Sequence, residues 1–218
     1  ANTVTKNKNF FFIEKLVKLF LCILFTSISV LSCSQGNEAS APKKKNTDLK
    51  SSSKKAANKK TLIIYYSSSG TTEKVANILK NKTGGDLYLI KTNPSYPKDQ
   101  DSIGKEMALE RENGNIRGLS GQLPDLSGYD TILIGGPVWS GEPSNPIQKY
   151  LSMTNFGEKK VAGFWTAYAE PGDYANKFKA LVNNAKVSDG LGLVNADVSN
   201  ETELNSKIDT WLSTLGIL

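Results

Sequence analysis

The chain has 218 residues, 39% of them hydrophobic, and a formal net charge of +6, a balance that excludes wholesale disorder and a multi-span membrane protein. It contains no histidine and two cysteines, Cys22 and Cys33, so one chain cannot build a Ser-His-Asp triad, a Cys-His nucleophile, a four-ligand zinc site or an iron–sulfur cluster. Residues 1–60 hold 12 Lys against 3 acids and residues 61–218 hold 15 basic against 18 acidic residues, which places the basic excess ahead of the folded part and argues against a nucleic-acid partner.

Lys6, Lys8, Lys15 and Lys18 precede residues 19–31 (LFLCILFTSISVL), an uncharged run of signal-peptide length and short for a bilayer span. It ends at Val30-Leu31-Ser32-Cys33, which resembles a bacterial lipobox with Cys33 as the lipidated residue. Residues 1–32 are therefore expected to be a lipoprotein-type signal peptide, the alternative being a plain signal peptide or an uncut anchor. Residues 34–60 hold eight Lys, one Leu and no aromatic residue, too little apolar surface to offset ordering entropy. Residues 33–60 are expected to be a disordered tether, the 27 residues after Cys33 reaching roughly 30 Å as a flexible chain. The protein is then exported and anchored on a bacterial membrane, facing the periplasm or the cell exterior.

From residue 61 the pattern alternates. Residues 61–66 (TLIIYY) read as a buried strand, 71–82 as a helix, 86–91 (DLYLIK) as a second strand, 101–113 as a helix and 114–128 as loop. Residues 131–135 read as a third strand with the apolar run of a buried parallel strand. A helix follows over 144–153, then a fourth strand over 160–166, a helix over 174–184, a fifth strand over 187–194 and a last helix over 201–215. Five strands alternating with helices predict an α/β fold: a doubly wound, five-stranded parallel sheet with helices on both faces, spanning residues 61–218. In such sheets the loops at the carboxyl ends of the strands carry function.

Three of these loops point at one ligand. Ser67-Ser68-Ser69-Gly70-Thr71-Thr72 joins the first strand to its helix, where unpaired N–H groups and the helix dipole favour an anion; a polar turn with an N-cap residue is the alternative. It lacks the Gly-Lys-Ser/Thr of a Walker loop and is not a GxGxxG turn. The second loop, residues 135–143, places Pro137, Val138, Trp139, Ser140 and Gly141 after the third strand, and the third places Thr166, Ala167, Tyr168 and Gly172 after the fourth. A phosphate cradle between aromatic walls suits a phosphorylated flat ring. Trp165 and Trp211 lie on apolar faces and are expected in the core.

Here the domain resembles the flavodoxin family, short-chain type. Ser67-x-Ser69-Gly70-x-Thr72 is similar to its phosphate-loop signature, and residues 129–139 with Pro143, Pro146 and Ile147 are similar to its third-strand and flavin-loop segment. Gly172-Asp173-Tyr174 with Phe178 is a weaker echo of the segment after the fourth strand. The resemblance implies FMN as cofactor. It implies that Ser67, Ser69 and Thr72 donate hydroxyl hydrogen bonds to the phosphate beside the N–H groups of residues 68–72. It also implies that Trp139 packs on one face of the ring and Tyr168 on or near the other. Gly141 would let a peptide of the Trp139-Ser140-Gly141 turn reorient toward the ring. None of the three loops carries Lys or Arg, while Glu142, Glu170 and Asp173 would surround the ring, which lowers its potential. The implied function is low-potential electron transfer to partner proteins, with no catalytic side chain and no metal. An NAD(P)H-dependent quinone or flavin reductase on the same fold is the alternative.

Overall fold

The computed structural model describes residues 60–218; the expectations for the signal peptide, Cys33 and the tether up to residue 59 lie outside them. Strand β1 (Thr61–Tyr65) is buried at every position because it is internal to a parallel sheet. On one side it pairs with β2 (Asp86–Leu89), and on the other with β5 (Thr131–Trp139). Beyond β5 come β7 (Lys160–Ala167) and β8 (Lys186–Val194), giving the order β2-β1-β5-β7-β8. This is the doubly wound arrangement expected, with its crevice where the connections diverge from β1.

Alternation along the central strands divides the core into two layers. Leu62, Ile64, Ile132, Ile134 and Val161 face α2 (Gln100–Glu112), α3 (Asn145–Met153) and α4 (Tyr174–Leu181). Ile63, Tyr65, Leu133, Ala162 and Phe164 face α1 (Thr71–Thr83) and α6 (Glu201–Thr214). Each Leu, Ile, Val or Phe among them contributes about 1.5–3 kcal/mol on burial, so the strands are fixed by both faces at once. Trp165 and Trp211 are both in this core; Trp211 Nε1 donates to the Asp189 carbonyl at 2.9 Å. That carbonyl sits where the pairing of β7 with β8 shifts register between Ala162 and Phe164.

Three expectations are corrected. The second strand stops at Leu89; Ile90 turns under the sheet, and residues 91–93 leave as β3 (Lys91–Asn93). The expected loop over 114–128 contains β4 (Gly118–Ser120), the antiparallel partner of β3, too short to leave an alternating pattern. The third strand does not end at residue 135. It runs on to Trp139 and folds back as β6 (Glu142–Pro143), so Pro137, Val138 and Trp139 are strand rather than loop. A short helix, α5 (Asn195–Ser199), also precedes α6.

Candidate functional site

The carboxyl ends of β1, β5 and β7 converge on a cavity of about 190 Å³. Its walls include Ser68, Ser69 and Thr71 from the first loop and Pro137, Val138 and Trp139 from the end of β5. Thr166, Ala167 and Tyr168 close it from β7. All three sequence-predicted loops thus share one site.

The first loop is built as a cradle. Gly70, with φ of +89°, turns the chain into α1 in a conformation that side chains resist. Ser67 Oγ accepts from the N–H of Gly70 at 3.0 Å and of Glu73 at 3.4 Å. Thr72 is buried, and its Oγ1 lies 2.8 Å from Thr166 Oγ1, which ties α1 to β7. Ser67 and Thr72 are therefore engaged in the frame. Ser68, Ser69 and Thr71 are the loop residues that line the cavity, and the hydroxyl oxygens of Ser69 and Thr71 are 3.1 Å apart. Lys74 directs its Nζ to the Val198 carbonyl, 3.0 Å away. The cradle is made of hydroxyls and a helix N-terminus.

Trp139 is only 9% exposed. Its indole meets Tyr66 and Tyr96 edge-on, with ring centroids 5.7 and 4.9 Å away, arrangements favoured by the aromatic quadrupole. The guanidinium of Arg117 stands 3.6 Å over the Tyr96 ring, and the Tyr96 hydroxyl donates to Glu110, which also accepts from Arg117 and Asn145. Burial pushes the Glu110 carboxyl up, but the bonds from Asn145, Tyr96 and Arg117 outweigh it and hold the group below its ordinary value. The indole is a supported wall, because β5 outruns β1 and carries Trp139 over Tyr66. Tyr168, by contrast, is 91% exposed at the lip.

Ser140 and Gly141, with φ of 50° and 76°, form the two-residue turn between β5 and β6, a mirror-type hairpin turn. The Gly141 carbonyl accepts from the Asp173 N–H at 2.8 Å. Ser140 and Gly141 are the turn itself and Gly172 lies against Gly141; none of the three lines the cavity. The expectation that no cation compensates the acids of these loops is also corrected. Glu142 lies 3.5 Å from Arg111 Nη1 and 3.4 Å from Lys177 Nζ; both cations come from helices, not loops.

Two lining residues escaped the sequence reading, Gln100 and Asn195. Gln100 opens α2 behind its N-cap Asp99, and Asn195 opens α5. Gln100 lies in the connection after β2 and β3, and Asn195 directly follows β8; a reading of every strand end would have found them.

A family model described as Flavodoxin matches residues 60–214. The chain belongs to the flavodoxin family. Among solved structures, this flavodoxin is 30% identical to a flavoprotein from Lactobacillus acidophilus NCFM crystallised in complex with FMN, with a TM-score of 0.56, covering 65% of this chain and 97% of that one. The apo form of the Lactobacillus flavoprotein, solved by NMR, matches with a TM-score of 0.50, at 30% identity, over 65% and 96% of the two chains. A Bacteroides eggerthii DSM 20697 protein, 24% identical, shares the fold with a TM-score of 0.60 over 72% and 98%. None of the curated proteins compared with the chain matches it.

The donor set fits the group that flavodoxins carry. A phosphate needs N–H and O–H donors, which α1 and the Ser69–Thr71 pair present, and a flat ring needs the indole of Trp139 beside it. The amides of Gln100 and Asn195 add polar partners at the flanks of the same cavity.

Proposed function

We propose that this flavodoxin binds FMN and acts as a low-potential electron carrier. The observation that carries the reading is one cavity lined both by a hydroxyl cradle at the α1 N-terminus and by the supported Trp139. Bound there, FMN supplies one- and two-electron redox chemistry. Ser69, Thr71 and the first N–H groups of α1 hold the phosphate, while Ser67 and Thr72 keep those donors aimed. Trp139 fixes one side of the ring; Tyr168, on the exposed lip, covers the other and leaves an edge near solvent for a docked partner. Glu170 and Asp173 remain without a cation within salt-bridge distance among the described residues, so they oppose further negative charge on the ring and keep its potential low.

The purified chain should show a flavin absorption spectrum. It should be reduced by dithionite and reoxidised reversibly, and should not turn over NADPH with quinone unless a separate reductase is added. Sustained NADPH oxidation by the protein alone would make it a reductase; a colourless protein that ignores added FMN would end both readings. We also infer that Cys33 anchors the exported domain to a membrane through the basic tether. Cys33→Ser should move the protein from the membrane fraction to the soluble fraction, and retention on the membrane contradicts the anchor.

A further inference from the structure

The hairpin carrying Trp139 is held by a side chain outside all three loops. Arg111, in the last turn of α2, donates Nε to Oδ1 of Asn145 at 2.8 Å. Its Nη2 donates to the carbonyls of Trp139 and Pro143, each at 3.2 Å. Its Nη1 faces Glu142 at 3.5 Å, and Lys177 approaches the other oxygen of that carboxylate at 3.4 Å. Asn145 is fully buried and passes its amide to the Met107 carbonyl at 3.2 Å and to Glu110 at 2.8 Å. One planar guanidinium therefore joins the last residues of β5 and β6 to the start of α3. Burial draws it down from its ordinary value while the Glu142 carboxylate pulls the other way.

We propose that Arg111 is a positioning residue of the flavin site with two separable effects: its fork fixes the Trp139–Pro143 hairpin against the ring, and its charge offsets Glu142 there. The proposal rests on the FMN reading above. The first effect needs the geometry of a guanidinium, which meets Asn145 from Nε and the two carbonyls from Nη2 in one fixed plane, whereas a Lys ammonium gathers all its donors on a single atom. The second needs only positive charge, and it operates in a half-buried setting where salt screens poorly. Of the cavity's lining residues, Arg111 bonds Trp139 and none of the Ser68–Thr71 cradle. Loss of the fork must then weaken riboflavin, which has no phosphate, as much as FMN.

The test uses the full chain, with FMN and riboflavin as probes in fluorescence titrations and the potential of bound FMN measured against redox dyes. Arg111→Lys should weaken both flavins by the same factor, about tenfold for loss of charge-assisted bonds, and leave the potential at the wild-type value. Arg111→Gln should weaken both equally and also lower the potential. Adding Glu142→Gln to it should bring the potential back without restoring affinity. Glu142→Gln alone keeps the Arg111 bonds to the carbonyls, so it should raise the potential with affinity unchanged, and it reads the charge effect even where Arg111→Gln fails to fold. A residue that merely braces α2 against α3 would leave the potential of Arg111→Gln equal to that of Arg111→Lys. The proposal is overturned by Arg111→Lys affinities within twofold of wild type, by a weakening of FMN alone, or by a potential indifferent to Glu142→Gln. A wild-type protein that binds no flavin fails at the earlier step and takes the FMN reading with it.

Discussion

FMN should bind the Ser69→Asp protein at least about a hundredfold more weakly than wild type, with riboflavin binding unchanged. The cradle carries no Lys or Arg of its own, and Lys74 is turned to the Val198 carbonyl, so a carboxylate placed among the hydroxyls finds nothing local to neutralise it. Unit charges about 4 Å apart repel by about 4 kcal/mol at an effective dielectric of about 20, and a phosphate bears more than one. Ser69 is exposed, which discounts that repulsion and leaves the hundredfold figure as a lower bound. Ser69→Ala, which removes one hydroxyl and adds no charge, should cost about 1 kcal/mol, several-fold in affinity. Paired fluorescence titrations with the two flavins decide it. Equal losses for FMN and riboflavin would place the phosphate elsewhere, and so would FMN affinity within a few-fold of wild type.

What could be read from the sequence follows from which contacts are local. β1 and β5 are buried on both faces, so their near-continuous apolar runs are legible without knowing their neighbours. The Ser/Thr loop is legible for the same reason: strand, polar turn and helix are contiguous, and the helix N-terminus itself supplies the chemistry. β3 and β4 are three residues each, pair only with one another, and leave no periodic signal. The burial of Trp139 is not legible, because it comes from Tyr66 and Tyr96, far off in sequence, and from β5 running beyond the end of β1. Arg111 is the clearest case. It sits 28 residues before Trp139 on a weakly amphipathic helix, and only the packing of α2 beside α3 brings its guanidinium to the hairpin. Inspection of the three loops finds no cation, and a conclusion about local charge drawn from those loops alone therefore omits Arg111 and Lys177 beside Glu142.

Gly172→Ala should lower the midpoint of thermal unfolding by about 4–8 °C and weaken FMN and riboflavin together by about tenfold or more. Gly172 has φ of +60°, and a Cβ there would lie 2.8 Å from the Gly141 carbonyl oxygen and nearer still to its Cα. That carbonyl accepts the Asp173 N–H at 2.8 Å, so the β5–β6 turn and the loop before α4 are joined backbone to backbone at the point the new methyl must occupy. Both partners are main chain and cannot rotate away, so the loops must separate, and the hydrogen bond between them is lost or stretched. Gly141→Ala is the control. Its φ of +76° imposes a similar left-handed strain of about 1–2 kcal/mol, but its Cβ would come no nearer than 3.5 Å to Gly172, an ordinary van der Waals distance. Strain alone predicts equal losses at the two positions; close approach predicts that Gly172→Ala loses clearly more stability and more flavin. Equal effects would mean that the contact between the loops does not hold the ring end of the site together, and that the hairpin depends on its own turn and on Arg111.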